Sequence, residues 1–168
     1  MLTQKEKELI AVGASVASGC EPCTAHHVKA AREAGASDEE LRGAVDAALE
    51  VRGRATGRMA GVAARELGRA APMPGCSGLE GLGRVEALVC AAAALAANCG
   101  AGVPGFLAAA ARSGATERQA QVALGIARQI NKVAAEKAEA EASGGDQERN
   151  PSQACGCAGV TAPSACCS

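Results

Sequence analysis

GCEPCTAHHVKAAREAGASDEE, residues 19–40, contains two helix stops and two helix starts. Gly19 can end a helix arriving from the N-terminal side, because glycine adopts the left-handed turn that closes a helix without a steric cost. Pro22 then fits the first turn of the next helix, where the N–H it lacks would have had no intrahelical partner. Gly35 closes that helix just past Ala34, and Ser37 with Glu40 three residues on forms a capping box that opens a third. Working outward, Leu9, Ile10, Val12 and Val16 fall at helical intervals between Thr3 and Ser18, and Leu41, Val45, Ala48 and Val51 continue the pattern downstream. The stretch predicts a hairpin of two helices followed by a third.

The rest of the chain agrees with that beginning. Of 168 residues, 48% are hydrophobic, yet Phe106 is the only aromatic one, so the core must be built from alanine, leucine, valine and isoleucine. Strong helix formers dominate most windows and strand formers are scattered, which predicts an all-α protein. Seventeen basic and eighteen acidic residues leave a formal charge of −1 with no basic stripe, which argues against nucleic acid as a partner. The opening MLTQKEKELI is charged from Lys5 onward and lacks the apolar core of a signal peptide, so a cytoplasmic location is expected. Residues 87–111 are apolar mainly through alanine and are interrupted by Gly100, Gly102, Pro104 and Gly105, which reads as two helices and a turn and not as a membrane span.

The helical grammar recurs at an offset of 79 residues. Gly35-Ala36-Ser37 aligns with Gly114-Ala115-Thr116, Leu9 with Leu88, Val16 with Leu95, Cys20 with Cys99, and the Ser37/Glu40 box with Thr116/Gln119. A duplicated unit is therefore expected, with a first repeat over 1–70, a linker over 71–82, a degenerate second repeat over 83–142 and a flexible tail over 143–168. The connection after the third helix should hold a helical piece to about Arg69 and then the loop APMPGCSG. In the second copy Gly102 stands where the first has Cys23, and Phe106 where it has His27. Any site belongs to the first half.

That site centres on Cys20, Cys23 and His27, whose spacing of three and then four places them on one face of a helix. Two thiols at i and i+3 near a helix start suit redox chemistry, because the helix dipole and a nearby imidazole favour the reactive thiolate. Oxidation of one sulfur to sulfenic acid would let the other condense with it. His27 could accept or relay the thiol proton, and Glu8, if its helix folds back, could hold the imidazole; taken alone, Glu8 is equally one more solvated charge beside Lys5, Glu6 and Lys7. A zinc site competes, but no second Cys or His pair stands at a suitable distance. Thr24 after the second cysteine excludes covalent haem, and no strand precedes the motif as thioredoxin would need. His26 reads as an exposed or packed residue, Cys76, Cys90 and Cys99 as small core or turn residues. No cofactor is called for.

Glu8, AVGASVASGC (11–20), Cys20-x-x-Cys23-x-x-x-His27 and KAAREAGASDEEL (29–41) together resemble the alkylhydroperoxidase D (AhpD)-like branch of the carboxymuconolactone decarboxylase family. The resemblance covers residues 3–53 closely and 84–135 as the degenerate repeat. It implies an AhpD-like helical bundle, a homo-oligomer (a trimer or a related assembly), and a thiol-dependent peroxidase or disulfide-reducing activity on a hydroperoxide with a thiol or dithiol protein as reductant. By the same resemblance, Cys23 becomes the sulfenic acid, Cys20 closes the disulfide, and Glu8 with His27 relays the proton. Decarboxylase members lack the cysteine pair, so lyase chemistry is the lesser expectation. Pro22 departs from the polar residue that peroxidase members can carry between the cysteines.

The tail has no periodicity but carries Cys155, Cys157, Cys166 and Cys167. Thiolates in that density could hold a soft ion such as Cu(I), mercury or arsenite, could exchange disulfides with Cys20 and Cys23, or could be an unstructured end without a fixed role. A metal- or metalloid-binding protein is the alternative function.

Overall fold

The computed structural model describes residues 1–73, 75 and 81–143; the calls on Cys76 and on Cys155, Cys157, Cys166 and Cys167 fall outside them. The described residues form six α-helices and no strand: α1 Gln4–Ser18, α2 Glu21–Glu33, α3 Asp38–Glu66, α4 Arg84–Ala96, α5 Val103–Arg112 and α6 Glu117–Ser143. The expected all-α class is what the chain adopts. It divides into two compact units, Met1–Lys137 and Ala138–Ser168. Of the second, residues 138–143 are described, and all are helical.

The helix ends lie where local chemistry directs them. Thr3 caps α1, its hydroxyl accepting from the Glu6 N–H while the Glu6 carboxylate accepts from the Thr3 N–H at 2.8 Å. This reciprocal cap satisfies two donors that the first turn would otherwise leave open. Gly19 takes the left-handed conformation with φ 76°, and Cys20 N–H then donates to Ser15 O at 3.2 Å, which closes α1 and starts the turn into α2. Ser37 and Glu40 form the same box at the start of α3. Thr116 and Gln119 repeat it before α6, with Thr116 N–H donating to Gln119 Oε1 at 2.9 Å.

α1 is the central element and packs against α2, α3 and α4; α4 in turn packs against α3 and α5. Ile10, Val12 and Ala14 on α1 and Leu88 with four consecutive alanines on α4 are fully buried. Small side chains let these helices approach closely. A β-carbon added to Gly13 would lie 2.5 Å from Val89 Cγ1, so α1 and α4 meet with no room for one more methyl group. A core without large aromatics compensates for thin side chains by short interhelical distances.

The second three helices reuse the devices of the first. Arg52 Nη1 donates to Val16 O at 3.2 Å and Ala17 O at 3.0 Å, tying α3 to the end of α1. At the same offset of 79, Asn131 Nδ2 donates to Leu95 O at 3.4 Å, tying α6 to the end of α4. Gly19 has as its counterpart Asn98, which also takes a left-handed conformation with φ 55°. Asparagine tolerates that region better than other non-glycine residues. In the first half a side chain there would collide with Arg52, whose Nη1 lies 2.7 Å from the β-carbon Gly19 lacks.

One boundary departs from the sequence expectation. α3 runs unbroken for 29 residues through Gly53, Gly57 and Gly61 and ends at Glu66, where the sequence reading places a separate helical piece in the connection after residue 54. Each glycine costs roughly 1 kcal/mol of helix propensity. Tertiary contacts offset that cost: Ala55 is buried, Arg52 anchors to α1, and Met73 folds back so that its Cγ lies 3.1 Å from the β-carbon position of Gly61.

Candidate functional site

The turn between α1 and α2 delivers Cys20 to the N-cap of α2, with extended backbone at φ −88° and ψ 97°. Its sulfur does what an N-cap side chain does and accepts the N–H of Cys23 at 3.3 Å. Cys20 therefore caps the helix and does not ride on it. The one-face reading of 20, 23 and 27 holds for Cys23 and His27 only, because Glu21 and Pro22 form the first helical positions. Thr24 Oγ1 donates to Cys20 O at 3.0 Å and fixes the cap further.

Cys20 and Cys23 are joined as a disulfide with Cα atoms 5.2 Å apart. Both are 6% exposed, so an incoming group meets them at the mouth of the α1–α2 turn and not on an open face. When the bond is reduced, a thiolate at either position lies at the positive end of α2, where free N–H groups and the helix dipole stabilise negative charge.

One helical turn beyond Cys23, the His27 ring reaches across to α1. Its Nδ1 and Glu8 Oε2 are 2.9 Å apart, with side-chain exposures of 23% and 14%. An ionised carboxylate can only accept, so Nδ1–H is the donor, and Nε2 is the nitrogen left for proton exchange. Sequence reasoning missed a further member. Gln4 Nε2 donates to Glu8 Oε1 at 2.6 Å, so both carboxylate oxygens are held, one by the imidazole and one by the amide. The signal was present: Gln4 and Glu8 are four apart on α1 and share a face. His26 is exposed and meets His27 edge to face, with ring centroids 4.9 Å apart.

The other described cysteines lie in a different environment. Cys90 and Cys99 are buried free thiols. Burial pushes the Cys90 pKa up to about 12, the Glu86 and Glu50 carboxylates push it the same way, and Arg54 only partly opposes them. A thiol held so firmly in its protonated form is a poor nucleophile at neutral pH. Among the described residues, no group of three or more His, Cys, Asp or Glu side chains is placed to hold a metal ion, and no helix is long and apolar enough to cross a membrane.

Glu8, Cys20, Cys23 and His27 thus come from two helices and the turn between them, all within the first 27 residues. Comparison of the chain with curated proteins and with solved structures gives no match. The model of the carboxymuconolactone decarboxylase family matches residues 1–69, the part of the chain that holds all four of these side chains together with Gln4.

Proposed function

We propose that the protein is a thiol-dependent peroxidase and disulfide oxidoreductase that cycles through Cys20 and Cys23. The observation that carries this reading is the Cys20–Cys23 disulfide at the N-terminus of α2, one helical turn from a histidine held by a carboxylate. The match of residues 1–69 to the carboxymuconolactone decarboxylase family, whose AhpD-like branch these motifs resemble, supports it.

The steps balance as follows. The Cys23 thiolate attacks one peroxide oxygen, the O–O bond breaks, and the departing alkoxide takes a proton from His27 to leave as an alcohol. Cys23 is now a sulfenic acid. Cys20 sulfur attacks Cys23 sulfur, the hydroxyl leaves as water after taking a proton, and the disulfide forms. A dithiol reductant then restores both thiols by exchange and is itself oxidised to a disulfide. Glu8 acts by holding the imidazole tautomer and stabilising its charged form, and Gln4 by holding Glu8.

Two variants test the assignment of the sulfurs. Cys20→Ser should accumulate a sulfenic acid at Cys23 that a cyclic diketone traps, detected by peptide mass. Cys23→Ser should neither consume hydroperoxide nor form the trapped adduct. Peroxide turnover retained by Cys23→Ser would overturn the reading.

A further inference from the structure

The stripe that seats α3 in the core continues past the core. Leu41, Ala44, Ala48, Val51 and Ala55 are buried at helical intervals, and Met59 and Val62 extend the same stripe while remaining 57% and 38% exposed. At 29 residues α3 is roughly 43 Å long, and its second half presents apolar side chains that nothing in its own chain covers among the described residues.

Charge is segregated along the same helix. Residues 38–50 carry five acids (Asp38, Glu39, Glu40, Asp46, Glu50) against Arg42 alone, whereas residues 51–66 carry four arginines (52, 54, 58 and 65) against Glu66 alone. Arg58, Val62 and Arg65 follow one another at i, i+4 and i+7, so the exposed face of the second half is basic and apolar together.

A surface of the opposite character lies between α1, the first half of α3, and α4. It is an open groove of about 450 Å³ whose floor is Leu9, Ala44, Val85 and Val89. Its rim holds Glu6, Glu39, Glu40 and Glu86 against a single lining base, Lys5, which is itself bound to Glu40 at 2.7 Å. Gly43 lines it too, and a side chain at that position would meet nothing within 4 Å, so the groove has room for an inserted residue.

We infer that the second half of α3 docks in the acid-rimmed groove of a second copy of this chain, Met59 and Val62 entering over the apolar floor while Arg58 and Arg65 meet the glutamates of the rim. Each copy carries one basic helix half and one acidic groove, so the exchange can be reciprocal and close on itself. The occupant is a second copy because the chain supplies both complementary surfaces. An amphipathic helix in an apolar groove is an established way to bury such a stripe, and opposed charge on the rim selects the partner. This inference is independent of the peroxidase reading, since it uses none of the residues placed in that site.

Size-exclusion chromatography with light scattering reads the outcome directly. The wild-type chain should run at twice its 16.5 kDa mass or a higher multiple, and should dissociate as salt is raised from about 0.1 to 1 M, where screening contracts from about 10 Å to 3 Å. Arg58→Glu/Arg65→Glu should run as a single chain with unchanged helicity by circular dichroism. Mixing it with Glu39→Arg/Glu86→Arg should restore a complex containing both. A wild-type chain that stays monomeric at every concentration reached, including one that instead captures a different protein, overturns the inference. So does an unchanged mass in the Arg58→Glu/Arg65→Glu variant. Should that variant lose helicity, Glu39→Arg/Glu86→Arg alone decides: dissociation supports the inference and a retained mass overturns it.

Discussion

The two halves of this molecule place opposite chemistry on matching helical positions. In the first half, Glu8 and His27 face each other at 2.9 Å beside a Cys20–Cys23 pair. Seventy-nine residues later the corresponding positions are Ala87, Phe106, Cys99 and Gly102, with Ala87 at 0% and Phe106 at 3% exposure. The second half closes with hydrocarbon the space that the first half fills with an ion pair. One arrangement keeps partly exposed polar groups for chemistry; the other buries apolar surface for stability. The difference teaches that the helical frame does not need the site and that the site is an addition with its own supports, Gln4 and the Cys20 cap.

The comparison breaks if the two positions respond alike to truncation. His27→Ala should lower peroxide turnover by about 10²- to 10⁴-fold, the range for a lost proton-transfer group, while the thermal midpoint moves little because the ring is partly exposed. Steady-state peroxide consumption and a melting curve on the same preparation separate the two effects. Phe106→Ala should do the reverse, costing about 3–5 kcal/mol of stability as a buried aromatic ring is replaced by a cavity, with turnover per folded molecule preserved. Urea titration read by circular dichroism measures it. Equal loss of activity in both variants would mean the second half takes part in the chemistry.

Most of the helical frame was legible in the sequence because helix ends are decided locally. Thr3, Gly19, Ser37 and Thr116 act through groups within four residues of themselves, so their roles can be read from spacing. The meeting of Glu8 with His27 was legible one step further on, since a short turn at Gly19 leaves α2 little choice but to fold back on α1. What spacing could not deliver was anything settled by a neighbour distant in sequence. The continuous course of α3 depends on Met73 and on its arginine anchors, which outweigh three glycines. Cys20 was misplaced by one helical position because a sulfur can serve as a cap acceptor, a role that pattern reading reserves for oxygen. The acid-rimmed groove was invisible for the same reason: its lining comes from three helices.

The smallest expected effect concerns how the halves are joined. Glu6 on α1 is ion-paired with Arg84, the first residue of α4, and also caps its own helix through the Thr3 N–H. Burial alone would raise the Glu6 pKa, but the Thr3 N–H and the Arg84 guanidinium outweigh it and hold the carboxyl below the ordinary range. In the window between the two values, the unfolded chain binds more protons than the folded one. The stabilisation from this carboxylate is therefore complete above its ordinary value of about 4.3 and is lost as pH falls through the lower, folded one. Glu6→Gln keeps an acceptor for the Thr3 N–H and removes only the charge. Its deficit against wild type should be at most about 1 kcal/mol at neutral pH, as for other solvent-screened pairs, and should shrink towards zero in acid. Glu40, whose pKa is lowered chiefly by the Lys5 ammonium, is present in both proteins and cancels in the difference. Urea midpoints of the two chains at neutral pH and near pH 3 test this. A deficit that persists unchanged in acid would show that Glu6 joins the halves by shape and hydrogen bonding, and that the charge on Arg84 contributes nothing measurable to holding α1 against α4.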